Sequence, residues 1–287
     1  MPTPSPAALP IRRLTPRDLT ACADLSEDRG WPREEHKWGF LLTAGKGYGI
    51  DDPAGGLVSA CVVTEYGPQE RPDLGAIGMV LVAERHARRG IGRRLMRHVV
   101  DAMGTTPLTL HATPYGQPLY EELGFKVAGR AEMLRGHFTG TSAPTITTRA
   151  VTAEDLGAIV RLDEEVFGSD RTHIITRLPA FADQLRVAEE HGRIIGYAGA
   201  WPNMETQVVG PLIARDTETA KALIASLAAH TDRPLRTDID VRHEELLAWA
   251  KGHGLASVAF NSVMTYGIPE LPGDWTRRFA PLTVAAG

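Results

Sequence analysis

A basic loop that contains two glycines is the first place in this sequence where residue types and spacing could do chemistry. Gly90 and Gly92 lie within it. The cationic or potentially cationic side chains around them are Arg85, His86, Arg88, Arg89 and Arg93. Glycines let an anion approach the backbone closely, and arginines add charge-assisted hydrogen bonds. The pattern predicts a phosphate or pyrophosphate site, and the alternative is a helix cap with a solvated basic face.

The elements on either side of this loop decide what its backbone can offer. Gly78–Val82 is a short apolar run, which predicts a buried strand. Apolar residues at four-residue steps then predict an amphipathic helix, namely Ile91, Leu95, Val99 and Met103. Gly104 is a natural stop for that helix. The first turn of a helix has unpaired N–H groups and a partial positive charge, which favour an anion.

Neither of two familiar phosphate motifs is present in the loop. It lacks the three glycines of a Rossmann fingerprint and the Gly-Lys-Ser/Thr of a P-loop. Instead, HARRGIGRRLM resembles the acyl-CoA pyrophosphate loop of the GNAT superfamily of N-acetyltransferases, with its Gln/Arg-x-x-Gly-x-Gly/Ala pattern. Gly90 and Gly92 match that pattern, whereas Ala87 departs from its first position.

This resemblance implies acetyl-CoA as the cofactor and a set of residues that bind it. The fourth strand of the family pairs with the pantetheine arm and polarises the thioester carbonyl through its backbone, and Pro114 and Gln117 begin the helix beside the arm. The implied cofactor-binding residues are Met79, Val80, Val82, Arg88, Arg89, Gly90, Ile91, Gly92, Arg93 and Gln117.

A second stretch strengthens the resemblance and carries the candidate catalytic residue. LTLHATPYGQPLYEELGF, residues 108–125, is similar to the Leu-Tyr-x-x-x-Gly-Phe that ends the family's fifth strand and its following helix. The resemblance implies that Tyr120 protonates the leaving thiolate. A thiol of pKa about 8.5 takes a proton from a tyrosine of about 10 when the transfer is concerted or the environment helps. The alternative is a tyrosine that packs between helix and sheet.

The acceptor side of the site is less well defined by the sequence. Trp31, Glu35, Trp38 and His111 are candidates to line it or to deprotonate the amine, together with Glu34 and His36. Trp31 and Trp38 could equally serve packing, a histidine at a strand end is often structural, and the base could be water.

Composition limits the possible classes of protein. The chain has 287 residues, enough for two domains, with 43% hydrophobic and 23% charged residues. A net charge of −4 argues against a nucleic-acid partner. Cys22 and Cys61 form no disulfide framework or metal spacing, so we expect a cytoplasmic protein without a metal. No apolar run is long enough to predict a membrane helix. Residues 1–10 are predicted to form a frayed tail. We expect a monomer or a homodimer.

The chain also contains an internal repeat. Arg12–Leu19 aligns with Arg149–Leu156, and Gly78–Val82 with Gly210–Ala214. The order and spacing predict a tandem duplication of mixed α/β type. The resemblance to tandem GNAT proteins implies a catalytic GNAT domain at residues 1–140 and a degenerate one at residues 141–287, and the small and turn residues between them place the boundary near Thr141–Ala143. Each domain would be a twisted mixed β-sheet flanked by helices.

The second copy differs where the cofactor would bind. Ala214–Lys221 joins strand to helix without glycines, and Asp216 and Glu218 stand at the helix start. These acids would satisfy the N–H groups and repel a phosphate. We therefore expect one acyl-CoA per chain, held between Val80 and Tyr120.

Local patterns make further predictions about the first half. The predicted strands are Ile11–Leu14, Leu57–Tyr66, Leu108–Ala112 and Phe125–Leu134, the predicted helices begin at Thr15-Pro16, Trp31 and Thr113-Pro114, and Gly45–Gly49 is predicted as a turn.

The predicted function is direct transfer of an acetyl group from acetyl-CoA to the amine of a small molecule. One alternative is a non-catalytic acyl-CoA-binding or interaction protein. Another is a phosphate-site protein unrelated to coenzyme A.

Overall fold

A computed structural model describes residues 9–140 and 146–287. These residues fall into two compact units. The first unit comprises residues 9–126, Met264–Pro269 and Ala286, and the second comprises the remaining described residues from Val127 onward. The expected tail at residues 1–8 and the boundary at Thr141–Ala143 lie outside the described residues. A division at residues 140 and 141 stays a prediction, and the compact units divide the chain elsewhere.

The first unit contains five strands and four helices from its N-terminal part. In chain order they are β1 (Arg12–Leu14), α1 (Leu19–Asp28), α2 (Glu35–Ala44), β2 (Lys46–Asp51), β3 (Leu57–Tyr66), β4 (Leu74–Val82), α3 (Ile91–Met103), β5 (Leu108–Ala112) and α4 (Gln117–Glu122). The strands lie in the order β1-β2-β3-β4-β5, and the residues Met264–Tyr266 of a later strand lie beside β5. The β4–β5 pair is parallel, while β1–β2, β2–β3 and β3–β4 are antiparallel.

The amphipathic helix predicted after the basic loop is confirmed. α3 begins at Ile91 and ends at Met103, with Gly104 as its C-cap. Its apolar face, including Leu95 and Val99, is buried in a core shared with the sheet and with Met264. Burial of this face fixes the start of the helix next to the end of β4.

Three local predictions in the first unit are wrong, and one of them is the helix expected from Thr113-Pro114, which begins at Gln117. Residues 45–49 do not form a turn, because β2 runs through Lys46–Asp51. A Cβ added at Gly47 would lie 2.7 Å from Leu14 Cβ, and one at Gly49 would lie 2.9 Å from Leu14 Cδ2. The glycines therefore serve close packing of β2 on β1. The second helix begins at Glu35 and not at Trp31.

The second unit contains eight strands and five helices. They are β6 (Lys126–Gly136), β7 (Thr147–Ala150), α5 (Leu156–Phe167), α6 (Thr172–Ile175), α7 (Leu178–Phe181), β8 (Gln184–Glu190), β9 (Arg193–Asn203), β10 (Thr206–Ala214), α8 (Thr217–Ala228), β11 (Leu235–Asp240), α9 (Glu244–Gly252), β12 (Ala256–Tyr266) and β13 (Arg278–Ala280). The sheet order is β12-β6-β11-β10-β9-β8-β7, and β13 pairs with β10. The last residues of β12, from Met264, belong to the first unit.

The predicted repeat is visible in matching hydrogen bonds. Arg12 Nη2 donates to Asp18 Oδ1 at 2.7 Å, and Arg149 Nη1 donates to Asp155 Oδ2 at 2.7 Å. In each unit the aspartate also accepts from the backbone N–H of the threonine three residues before it, at 2.8 Å. The same cap and the same arginine thus open both units, and the mixed α/β class with a large mixed sheet flanked by helices is confirmed.

Two findings apply only to residues 9–140 and 146–287. No helix there combines the length and apolar content needed to cross a bilayer. These residues also contain no group of three or more His, Cys, Asp or Glu side chains arranged to hold a metal ion.

Candidate active site

The first unit has an open wedge between two parallel strands. β4 pairs with β5 at Gly75–Ile77 opposite Leu108–Leu110. Among the described residues the pairing stops there, although β4 continues to Val82 and β5 to Ala112. The backbone groups at the end of β4 that face the wedge can therefore bind an extended ligand such as an amide-containing chain.

A β-bulge lies in β4 beside the wedge. The register of the β3–β4 pair shifts between Ala60 and Val62, so Cys61 stands opposite both Met79 and Val80. Met79 has a φ of 54°, in the left-handed region that a non-glycine residue rarely adopts. Such strain costs about 1–3 kcal/mol and is found at ligand sites more than elsewhere. The bulge takes the backbone of Met79 and Val80 out of the regular ladder.

The loop after β4 presents an uncapped helix start. Arg88 and Gly90 have φ values of 60° and 75°, and Gly90 is the N-cap of α3. No side chain caps this helix, and its first turn contains no acidic residue. The N–H groups of that turn are therefore available to an anion. Arg88 and Arg89 are exposed, and neither forms an ion pair within the described part of the chain.

Contacts from two other segments hold the residues that precede this loop. Asp52 Oδ2 lies 2.7 Å from His86 Nε2 and accepts from Arg85 Nη2 at 2.8 Å. Burial raises the pKa of Asp52, but hydrogen bonds from the Ala54 N–H, His86 and Arg85 outweigh it and lower that pKa to about 2. Asp28 Oδ2 accepts from the Glu84 N–H at 2.7 Å. These bonds fix the direction in which the chain enters the loop.

Tyr120 is a buried residue of α4 whose hydroxyl group makes no hydrogen bond to any described residue. Its ring meets Phe125 edge-on, with centroids 6.1 Å apart. A Cβ at Gly116 would lie 3.6 Å from the hydroxyl oxygen, so that glycine keeps the space beside it open. Burial raises the pKa of Tyr120 and, with a smaller effect of Cys61, keeps it protonated. A ligand-facing role for this hydroxyl is compatible with the geometry and stays a prediction.

The remaining cofactor candidates lie around the same wedge. Ile91 is buried at the start of α3. A Cβ added at Gly92 would lie 3.4 Å from Leu119 Cδ2 and 3.5 Å from Val82 Cγ2, so Gly92 lies close to both side chains. Arg93 pairs with Glu122 of α4. Gln117 begins α4, and its amide donates to Glu121 Oε1 at 2.7 Å.

The acceptor candidates are less consistent with their predicted roles. Trp38 is fully buried, and its indole N–H donates to Ser26 Oγ at 2.9 Å, so it is a core residue and lines no surface pocket. Trp31 is 39% exposed and precedes α2. Glu35 begins α2 and pairs with Arg33 at 3.1 Å. His111 is half-buried, one residue beyond the last β4–β5 pair.

A buried ion pair that the sequence did not reveal lies at the start of α2. Glu34 and Lys37 are only 6% and 4% exposed and bind each other directly. Glu34 has a φ of 45°. The i, i+3 spacing of opposite charges was the available signal, but nothing in the sequence indicated their burial.

The second unit closes the equivalent wedge with its own chain. β10 pairs with β11 only at Gln207–Val209, and β13 then pairs with β10 at Leu212 and Ile213. The Ala214 N–H donates to Arg277 O at 3.0 Å. A Cβ at Gly210 would lie 2.1 Å from Pro281 O. The segment around β13 thus fills the space in the second unit that is equivalent to the open wedge of the first unit.

The helix start of the second unit is also occupied. Asp216 is the N-cap of α8, and its Oδ1 accepts from the Thr219 N–H at 2.8 Å. Glu218 lies in the first turn. The protein's own carboxylates thus satisfy and neutralise this helix start, and the absence of a second phosphate site stays a prediction.

Comparisons with known proteins agree with this geometry. Residues 64–141 and 159–280 each match a family model described as an acetyltransferase (GNAT) domain. A Bacillus subtilis protein described as the uncharacterized N-acetyltransferase YitH is 28% identical over 222 residues, which cover 76% of this chain and 77% of that protein.

Solved structures share the fold. A Pyrococcus horikoshii protein assigned provisionally as an acetyltransferase superposes with a TM-score of 0.81 at 18% identity, over 100% of this chain and 99% of that one. A tandem GNAT protein from the clavulanic acid biosynthesis pathway gives a TM-score of 0.65 at 13% identity, over 90% and 98% of the two chains. At these identities the two structures show a common fold.

Proposed function

Since this chain belongs to the GNAT family of N-acetyltransferases and carries two GNAT domains, we propose that it transfers an acetyl group from acetyl-CoA to the amine of a small molecule. The observation that carries this proposal is the wedge beyond Ile77 and Leu110, which leads along β4 to the uncapped start of α3. An extended arm with a pyrophosphate at one end fits the backbone groups that line this path.

Residues of the first unit support acetyl-CoA as the cofactor of this proposal. The N–H groups of Ile91, Gly92 and Arg93 would hold the pyrophosphate, with Arg88 and Arg89 adding charge. Met79, Val80 and Val82 would bind the pantetheine arm through backbone groups, and Gln117 would lie beside it. Acetyl-CoA, when bound there, supplies an acetyl thioester.

Tyr120 would act as the general acid. Its proton is retained because burial raises its pKa. The same dry surroundings disfavour a thiolate anion and so raise the affinity of a leaving sulfur for that proton. Backbone N–H groups at the Met79–Val80 bulge would donate hydrogen bonds to the thioester oxygen as negative charge develops.

The acceptor must reach this site as a neutral amine. An alkylamine of pKa near 10 is almost entirely protonated at neutral pH, so a base or water must remove its proton. Trp31, Glu35 and His111 remain proposed acceptor-side residues, and the buried position of Trp38 removes it from that group.

The division of labour between the two copies is part of the proposal. One acyl-CoA would bind per chain, in the first unit, because β13 and Asp216 occupy the equivalent positions in the second.

Release of the coenzyme A thiol in the presence of a panel of amines tests the proposal. Turnover with at least one amine supports it. Binding of acetyl-CoA without turnover across the panel would favour a non-catalytic acyl-CoA-binding protein. Thermal stabilisation by a nucleotide but not by acetyl-CoA would favour a phosphate site unrelated to coenzyme A.

A further inference from the structure

A basic groove runs along α3, starting at the proposed pyrophosphate loop. Its volume is about 430 Å³, and its lining includes Gly90, Arg93, Arg94, Arg97 and His98. Ile11 forms an apolar part of it, and Asp101 lies at its far end. Three arginines therefore face a groove that contains one carboxylate.

The charges of this groove are poorly satisfied by the protein itself. Arg94 Nη1 is buried and has no hydrogen-bond partner within the described residues. Arg97 is exposed and forms no ion pair there. Arg93, by contrast, pairs with Glu122 of α4. Two of the three guanidinium groups thus carry charge that the described residues do not pair, and such charge favours an anion in the groove.

The groove lies at a defined distance from the loop. A helix rises 1.5 Å per residue, which places Arg94 about 6 Å and Arg97 about 10 Å along the axis from Gly90. An anion bound here would thus be near a pyrophosphate at the start of α3 but separate from it. Coenzyme A carries such a second anion, a phosphate on the 3′ position of the ribose that adjoins its pyrophosphate.

We propose that Arg94 and Arg97 bind the 3′-phosphate of the cofactor and so make the enzyme prefer coenzyme A thioesters over their 3′-dephospho forms. This inference rests on the proposed function, and it adds a side-chain site to the backbone site for the pyrophosphate. Arg94 and Arg97 supply two charges from successive turns of α3. Guanidinium groups suit a phosphate because they donate two parallel hydrogen bonds.

The test compares the Kd of coenzyme A with that of 3′-dephospho-coenzyme A by calorimetry. Charge-assisted hydrogen bonds of this kind lead us to expect a wild-type preference of about ten- to hundredfold for coenzyme A. Arg97→Gln and the double variant Arg94→Gln/Arg97→Gln should reduce the preference stepwise towards one. The Kd of the dephospho form should change little, because that ligand lacks the group in question.

Arg71→Gln is the matched control. Arg71 is an exposed arginine of the same unit that forms no ion pair within the described residues and does not line the groove. Its replacement removes the same charge, so a purely long-range effect of net charge would appear there too. The preference for coenzyme A should stay at the wild-type value.

Several results would overturn the inference. Equal wild-type affinity for the two ligands would do so while leaving the proposed function intact. The groove would be assigned to a free anion by two results together. Inorganic phosphate would stabilise the wild-type protein but not the double variant, and the wild-type protein would bind coenzyme A and its 3′-dephospho form equally well. Binding of neither ligand would remove the proposed function as well.

Discussion

The carboxylate of Asp216 accepts hydrogen bonds from both the backbone N–H and the hydroxyl of Thr219, at 2.8 and 2.6 Å. This pair closes the start of α8. In the first unit the same position is Gly90, which has no side chain to offer. One helix start is therefore satisfied by its own residues, whereas the other presents free N–H groups to a ligand.

Titration of the intact chain with acetyl-CoA should give a single binding event per chain. β13 and Asp216 block the second unit by two independent means, so Asp216→Gly alone should leave the stoichiometry at one. Isothermal calorimetry measures this directly. Two equivalents of bound acetyl-CoA in the wild-type protein would contradict the assignment.

Tyr120→Phe should lower turnover by about 10²–10⁴-fold, the usual loss for one general acid. The Kd for acetyl-CoA should hold, and so should the melting temperature, because the lost hydroxyl makes no hydrogen bond within the described chain. Turnover at the wild-type level would return Tyr120 to a packing role. Phe125→Leu is the control for ring packing, since it disturbs the edge-on contact but keeps the hydroxyl.

The pH dependence of turnover has a predictable sign. The raised pKa of Tyr120 keeps its proton in place across the neutral and mildly basic range. Activity should therefore rise with pH as the amine loses its proton, without a descending limb below about pH 10. A fall in kcat between pH 7 and pH 9 would indicate a different acid.

Gly90→Ala should weaken acetyl-CoA binding. A side chain at this φ of 75° costs about 1–2 kcal/mol and displaces the N–H groups of the first turn. One lost charge-assisted hydrogen bond is worth about 1.5–3 kcal/mol, so Kd should rise by about tenfold or more. Gly30→Ala is the matched control, because Gly30 also has a left-handed φ and open space around an added Cβ. The Gly30→Ala variant should be destabilised to a similar degree, and its Kd for acetyl-CoA should be unchanged.

Asp52→Asn should loosen the entry to the cofactor loop and remove a pH-dependent part of the stability. A folded-state pKa of about 2, below the usual 3.8, means that the wild-type carboxylate stabilises the fold above pH 4 and that this contribution is lost as pH falls towards 2. The variant should be less stable than the wild-type protein at pH 7, and its free energy of unfolding should fall less between pH 4 and pH 2. Denaturant unfolding at several pH values measures this.

The neighbouring Asp51→Asn provides the comparison. Asp51 pairs with Arg12, but its side chain is 58% exposed, and exposed pairs contribute about 0–1 kcal/mol. Its replacement should change stability little and the Kd for acetyl-CoA not at all. Equal effects of the two substitutions would argue against a special role for the Asp52–His86 contact.

Met264→Ala should destabilise the first unit although it lies 144 residues after Tyr120 in the sequence. Met264 is fully buried in the core that contains Leu95 and Tyr120, and its carbonyl accepts from Thr109 Oγ1 at 3.1 Å. Truncation of a buried methionine costs about 2–5 kcal/mol. The free energy of unfolding should fall by that amount, and acetyl-CoA should restore part of it by mass action.

The sequence predicted those elements whose signals are local. The four-residue apolar steps and Gly104 gave the limits of α3, and Thr15 with Asp18 gave the first cap. The repeat was found because the same cap recurs at Thr152. The turn predicted around Gly47 and Gly49 was wrong, because the sequence does not distinguish a glycine required by close strand packing from a glycine in a turn.

Features set by distant contacts were not predictable. The left-handed backbone of Met79 depends on pairing with β3, and nothing in its side chain indicates it. Trp38 and the Glu34–Lys37 pair are buried, and the sequence pattern around them does not indicate it. β13 is a three-residue strand without a periodic pattern. Its role in filling the second wedge follows only from its pairing with β10.

The assignment of Met264–Pro269 to the first unit has a consequence for synthesis. A ribosome delivers the chain from its N-terminus, and domains that are continuous in sequence can fold as they emerge. Here the neighbour of β5 is made only after nearly all of β6–β12 has been translated. The sheet edge beside β5 therefore stays open to pairing with other chains until that late segment has been made.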